Sequence, residues 1–137
     1  MATFHLDLVA PDRLTFQGEV DQVDVPGFNG DFGVLAGHAP MVALLRPGIL
    51  TVTAGNTRTG YVVLGGFAEV SAEGTLTVLA DTASTIEAFD REALHARIVE
   101  MEAKVKALPQ GSDLDGAILR LDQFKQVNTH LQGTAMH

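Results

Sequence analysis

Leu76-Thr77-Val78-Leu79-Ala80-Asp81-Thr82-Ala83-Ser84-Thr85-Ile86-Glu87-Ala88-Phe89-Asp90-Arg91-Glu92-Ala93-Leu94 is the stretch in which the chain changes character. Upstream of Ile86 the apolar residues recur every second position, the period of a half-buried strand. Downstream, Leu94, Ile98, Met101, Val105 and Leu108 are spaced 4, 3, 4, 3, which lays one stripe on a helix. Asp90 is placed to cap that helix, and Phe89 with Leu94 fits a hydrophobic staple. Pro109-Gln110-Gly111 ends it, and Ser112 is placed to cap a second helix with Asp113 and Asp115 in its first turn. Leu114, Ile118, Leu121, Phe124, Val127 and Leu131 form the second stripe. A connection this short makes the helices antiparallel neighbours.

Composition divides at the same place. Residues 1–86 hold 11 of the 14 glycines and 4 of the 5 prolines, with 9 acids and 3 bases; residues 87–137 hold 8 acids and 6 bases. The first part reads as short strands. Phe4, Leu6 and Leu8 alternate with His5 and Asp7, Leu14 and Phe16 flank Thr15, and Val23 and Val25 flank Asp24. Met41–Leu45 is an apolar run closed by Arg46-Pro47-Gly48, and Ile49–Thr53 ends at the turn signal Gly55-Asn56. Tyr61–Leu64 is closed by Gly65-Gly66, and Glu73-Gly74 joins Phe67–Val70 to Leu76–Leu79. The expectation is an α+β chain: an N-terminal antiparallel β-sandwich over 1–86, then a C-terminal antiparallel two-helix hairpin over 87–137.

The 137 residues suffice for one domain with an appendage. A net charge of −8 disfavours binding to nucleic acid, which depends on cations that neutralise phosphates, and disfavours anionic lipid. With no cysteine there is no disulfide, thiolate metal site or thiol nucleophile. No apolar run approaches the ~20 residues that span a bilayer. Met1 leads directly into a strand-like segment containing Asp7 and lacking a basic start, so no targeting leader is expected.

The sequence lacks a phosphate-binding Gly-rich loop followed by Lys and Ser or Thr. Its three serines, Ser71, Ser84 and Ser112, have no nucleophile-elbow context. Five histidines, at 5, 38, 95, 130 and 137, are scattered without a metal-ligand spacing. No metal and no cofactor is expected.

The stretch from Gly27 to Pro40 is the strongest candidate for contact with a partner. Four glycines in 27–37 permit tight turns. Phe28 and Phe32 stand in what reads as a loop, with Asn29, Gly30 and Asp31 between them. Two outcomes are open: both rings tuck into the core, or they form an apolar patch in which Asp31 gives polar specificity. Two other functions fit the residues alone, a free-standing sandwich adaptor and a small metal-dependent β-barrel enzyme.

Several motifs in one order carry a family resemblance. Gly30-x-Phe32-Gly33-Val34-Leu35-x-Gly37-His38-Ala39-Pro40 resembles the signature loop of ATP synthase epsilon subunits. Arg46-Pro47-Gly48, Gly65-Gly66-Phe67-x-Glu69-Val70 and Thr77-Val78-Leu79-Ala80-Asp81 follow with the family's spacing, and the resemblance covers the whole chain. It implies a non-catalytic subunit at the foot of the central stalk, peripheral on the cytoplasmic side of the bacterial inner membrane. The partners implied are gamma, the membrane c-ring and the alpha/beta catalytic head. It implies coupling of ring rotation to that head, with Phe28, Asn29, Gly30, Asp31, Phe32 and His38 facing the ring. Members that bind ATP on the hairpin carry an Ile/Leu-Asp-x-x-Arg-Ala motif. Here Phe89-Asp90-Arg91-Glu92-Ala93-Leu94 keeps Asp90, with Arg91 beside it, but Ala93 replaces the arginine. Without that guanidinium a phosphate lacks its bidentate partner, so a degenerate motif without tight ATP binding is expected.

Overall fold

The computed structural model describes residues 2–135, and side chains as far as Leu131; His137 lies outside the described residues. Two compact units are present, divided between Ala88 and Phe89.

The first unit contains β1 (Phe4–Ala10), β2 (Arg13–Val20), β3 (Gln22–Val25), β4 (Phe32–Leu35), β5 (Met41–Ala54), β6 (Thr57–Val70), β7 (Leu76–Ala80) and β8 (Ala83–Thr85). Pairing follows the order β2-β1-β7-β6-β5-β3-β4, with β8 also on β6. All pairings are antiparallel except β1 with β7, where Leu8 stands opposite Val78 in a parallel register. Alternation places Phe4, Leu6, Leu8 and Ala10 in the core, with Val20, Val23, Val25, Leu50, Val63, Leu76 and Val78 among those packed with them.

Two runs that punctuation residues divide in the sequence are single strands. Pro47-Gly48 does not end β5, and Gly65-Gly66 does not end β6; each strand continues for 14 residues. Pro47 faces Leu64 across the ladder. Residues 66–70 of β6 pair with β7 and residues 61–63 pair with β8. The glycines therefore mark a bend, where one long strand passes from one partner to another and turns the corner of the sandwich. Gly65 and Gly66 have φ of 116° and 122°. A Cβ on Gly66 would lie 2.0 Å from the Leu79 carbonyl oxygen, so the bend requires glycine. At the far hairpin Ala54 faces Thr57 around Gly55-Asn56. Gly55 has φ of 61° and Asn56 does not have positive φ, the pattern of a II′ turn.

β4 corrects the expectation of a loop through Phe32. Phe32 pairs with Val25, and its ring packs partly buried against the core. The edge strand takes up backbone groups that a loop would leave unpaired.

The second unit is α1 (Arg91–Ala107) and α2 (Ser112–Ala135), joined by four residues. The Asp90 carboxylate accepts the Ala93 N–H at 2.9 Å, the expected N-cap. The Leu108 N–H bonds Lys104 O, and Pro109 follows. The expected cap by Ser112 gives way to Gly111, whose carbonyl accepts the Asp115 N–H. Ser112 is already the first helical residue. Buried positions are Leu94 and Ile98 on α1 and Leu121, Phe124, Val127 and Leu131 on α2. The Arg97 guanidinium lies 4.7 Å and that of Arg120 5.2 Å from the Phe124 ring centroid. Glu102 pairs with Lys125 at 3.8 Å.

Candidate functional site

The site is built on β3, β4 and the first half of β5. β3 leaves the core at Val25, and Pro26 stops its ladder. Gly27 N–H bonds Val25 O, and the Gly30 N–H bonds Gly27 O at 3.2 Å, closing a turn over residues 27–30. A Cβ on Gly27 would lie 2.3 Å from the Gly30 oxygen, so the turn closes only on glycine. The Phe28 N–H bonds Leu44 O at 2.8 Å, and the Arg46 N–H bonds Pro26 O at 3.0 Å. The turn is thereby fastened along β5. Its tip faces outward: Phe28 is 48% exposed, and Asn29, Gly30 and Asp31 are exposed.

The two phenylalanines thus separate in role. Phe32 joins the core and Phe28 stays on the surface. Asp31 is not a free acid, since its carboxylate is ion-paired with Arg46. His38 leaves the other end of β4. Its N–H bonds Leu35 O, and its Nδ1 lies 2.7 Å from Ala39 O. Phe28–Asp31 and His38 flank a four-residue strand, about 13 Å of chain, and do not share a turn.

Beside Phe28 lies a surface the sequence reading did not single out. Leu44, Phe67 and Leu79 are cross-strand partners on β5, β6 and β7, so they share one face. All three are exposed, as is Val42, at 66%. Ala43 and Ala68, one position along, pair on the opposite face, where Ala68 is in the core. The signal was present in Met41-Val42-Ala43-Leu44-Leu45, which is apolar at both parities. Such a strand puts apolar side chains on both faces of its sheet, and one of those faces here is open.

Polar clusters elsewhere do not form a chelate. His5 Nε2 lies 2.9 Å from Asp7 Oδ1, and its Nδ1 lies 3.2 Å from Glu19 Oε2. The two nitrogens point to opposite sides of the ring, so the carboxylates bracket the imidazole without converging on a common point. Among the described residues no group of three or more His, Asp or Glu side chains is arranged for a metal. The hydrogen bond to Asp7 raises the His5 pKa above 6.5, with partial desolvation opposing it and the Glu19 contact reinforcing it. On the hairpin, Asp90 is engaged as the N-cap, and no described contact joins it to Arg91. No described helix is long and apolar enough to cross a membrane.

Residues 3–86 match the family model described as ATP synthase, Delta/Epsilon chain, beta-sandwich domain. The chain belongs to the ATP synthase epsilon chain family. It is 61% identical to the ATP synthase epsilon chain 1 of Nitrobacter hamburgensis, with all of both chains covered. It is 60% identical to the epsilon chain of a Bradyrhizobium species over the same full length. In structure it is similar to a chain of the Euglena gracilis mitochondrial ATP synthase OSCP/F1/c-ring assembly. That likeness has a TM-score of 0.74 at 30% identity, covering 100% of this chain and 83% of the other. As an epsilon chain it is a non-catalytic subunit, and the adaptor and metalloenzyme readings fall away.

Proposed function

We propose that this chain is the central-stalk epsilon subunit of a proton-driven rotary ATP synthase, peripheral on the cytoplasmic face of a bacterial inner membrane. It couples c-ring rotation to the alpha/beta head through gamma. The observation that carries the reading is the contiguity of two exposed features. The apolar stripe of Val42, Leu44, Phe67 and Leu79 runs into the turn through the bond from Phe28 N–H to Leu44 O. A coupling subunit needs two such contacts on one rigid body, one for each partner. The stripe serves gamma. The turn residues Phe28, Asn29, Gly30 and Asp31, with Phe32 behind them and His38 beyond β4, serve the ring. The sandwich over 1–86 is the docking module, and the hairpin over 87–137 is the arm.

The arm inhibits ATP hydrolysis weakly at most. Its second helix carries Arg120 and Lys125 against Asp113, Asp115 and Asp122, leaving little net attraction for an acidic partner. Ala93 in place of the motif arginine, and Asp90 engaged as a cap, accord with the absence of tight ATP binding.

The test is Leu44→Glu in the assembled enzyme. The side chain is 66% exposed, so the isolated subunit should melt within a few degrees of the parent. A charge in a desolvated interface leaves an unpaired ion, and the subunit should be lost from gamma on washing. Full retention of the variant subunit would overturn the assignment of the stripe.

A further inference from the structure

We propose that Arg46 is the positioning residue of the docking turn, holding it in its binding shape before the c-ring is met. The proposal rests on the epsilon-subunit reading above and adds the device that presents the loop.

The guanidinium of Arg46 does two things at once. Its Nη1 donates to Gly27 O at 2.8 Å, and the same nitrogen pairs with Asp31 Oδ1. Gly27 and Asp31 bracket the turn, so one cation on β5 fastens both of its feet. The Gly27 carbonyl also accepts the Gly30 N–H that closes the turn. Between these anchors stand Phe28, Asn29 and Gly30, and Gly30 has φ of 133°. A glycine in that conformation has many alternatives when released, and the chain around it would lose its shape. Arg46 selects one of them.

Three details favour a role in presentation over one in general stability. Residues 1–86 carry only three bases, and Arg46 is the one whose side chain is drawn largely out of solvent, at 27% exposure. Arg58, by comparison, is 69% exposed and reaches Asp24 only at 3.9 Å. The backbone N–H of Arg46 already joins Pro26 O, so the strand contact persists whatever side chain stands there. The side chain therefore acts on the turn beyond it. Its pairing with Asp31 also means that the partner meets a neutral ion pair. Docking then depends on shape and on the Phe28 ring, not on a free carboxylate. Fixing a loop before contact raises affinity by removing the ordering cost from the binding step.

The experiment uses the full ATP synthase in inverted membrane vesicles, with Arg46→Met, Arg46→Lys, Asp31→Asn and Phe28→Asp. Proton-driven ATP synthesis and proton pumping per ATP hydrolysed are read beside the melting temperature of each isolated chain. Arg46→Met should lower ATP synthesis by about tenfold, the effect of losing the charge-assisted clamp from a docking step, while the melting temperature stays within a few degrees. Arg46→Lys keeps the charge but on a flexible stem without the rigid guanidinium plane, and should restore part of the loss. Asp31→Asn keeps the bond to Gly27 O, and should cost less than Arg46→Met. A fall in melting temperature that parallels the fall in synthesis would make Arg46 merely structural. A larger loss for Asp31→Asn than for Arg46→Met would make the carboxylate a direct contact. Normal synthesis in Arg46→Met with a defect in Phe28→Asp would overturn the positioning role and leave the docking turn standing. Normal synthesis in both would remove the turn from the interface, and the proposal with it.

Discussion

The sandwich and the hairpin solve the burial problem in opposite ways. In the sandwich, core side chains come from all strands from β1 to β8, and pairings such as Leu6 with Leu76 join residues far apart in sequence. The inner strands β1, β3, β5, β6 and β7 each pair with two or more neighbours, and a register slip would turn an apolar face outward. In the hairpin, six apolar side chains are buried among the described residues, all at helical spacing along two local segments. Val99, Ile118 and Leu119 stay exposed, and Gly116 costs α2 up to about 1 kcal/mol relative to Ala. A unit held by non-local register opens as a whole, whereas a hairpin with a thin seam opens locally at lower free energy.

The sharpest way to break this contrast is at the bend of β6. Gly66→Val introduces a side chain at φ of 122°, with its Cβ 2.0 Å from the Leu79 oxygen and 2.8 Å from Ala80 Cα. Backbone on the neighbouring strand cannot retreat without parting β6 from β7. The variant should lose about 4 kcal/mol or more, enough to unfold a typical domain of this size. Chemical denaturation followed by far-UV circular dichroism checks it. A cooperative transition at the parent's midpoint would show that the corner is soft.

The second test strikes the hairpin. Phe124 is fully buried, with Arg97 and Arg120 against its ring. Phe124→Ala removes the largest buried side chain of the unit, at a cost of about 3–5 kcal/mol. The helices should lose amide-exchange protection while the strands keep theirs. Simultaneous loss in both would show that the two units unfold as one.

These differences also govern what was legible in the sequence. The helices were visible because their information is local: Asp90, Phe89, Leu94 and Pro109 all lie within a turn of what they control. The cap of α2 was misplaced by one residue, because Ser112 is a good capping side chain and only the carbonyl geometry shows that Gly111 holds the position. In the sandwich, Pro47 and Gly65-Gly66 read as strand ends. β6 continues because its ladder partner changes at the bend, β5 continues because it keeps β6 as its partner through Pro47, and partner identity is non-local. Phe32 read as a loop residue for the same reason, since its strand exists only through pairing with Val25. Of the docking turn, Phe28 and the glycines were readable. The Arg46 clamp was not, because it joins positions 15 and 19 residues apart.

The smallest expected effect refines the account of the sandwich edge. β2 is held at the sheet edge by β1 alone among its ladder partners, and His5 stands opposite Glu19 across that pair. Its ring lies between Asp7 and Glu19, Gln17 donates to Asp7 at 2.9 Å, and Thr3 reaches Glu19 at 3.4 Å. The bond to Asp7 and the second carboxylate favour the imidazolium, and desolvation takes back part of the effect, so the folded pKa lies above the ordinary 6.5. A folded pKa above the unfolded value means that the folded state binds the proton more tightly. The stabilisation is then fully present below about pH 6.5 and is lost as pH rises through the folded pKa. His5→Gln removes the titration and keeps a polar side chain at the site. The parent's advantage in melting temperature over this variant should be greatest near pH 6 and shrink by pH 8.5. Because the cluster faces solvent, the advantage should also shrink as salt rises. An advantage that grows with pH would mean that the neutral ring is the form the fold prefers, and that β2 is fastened by its backbone ladder alone.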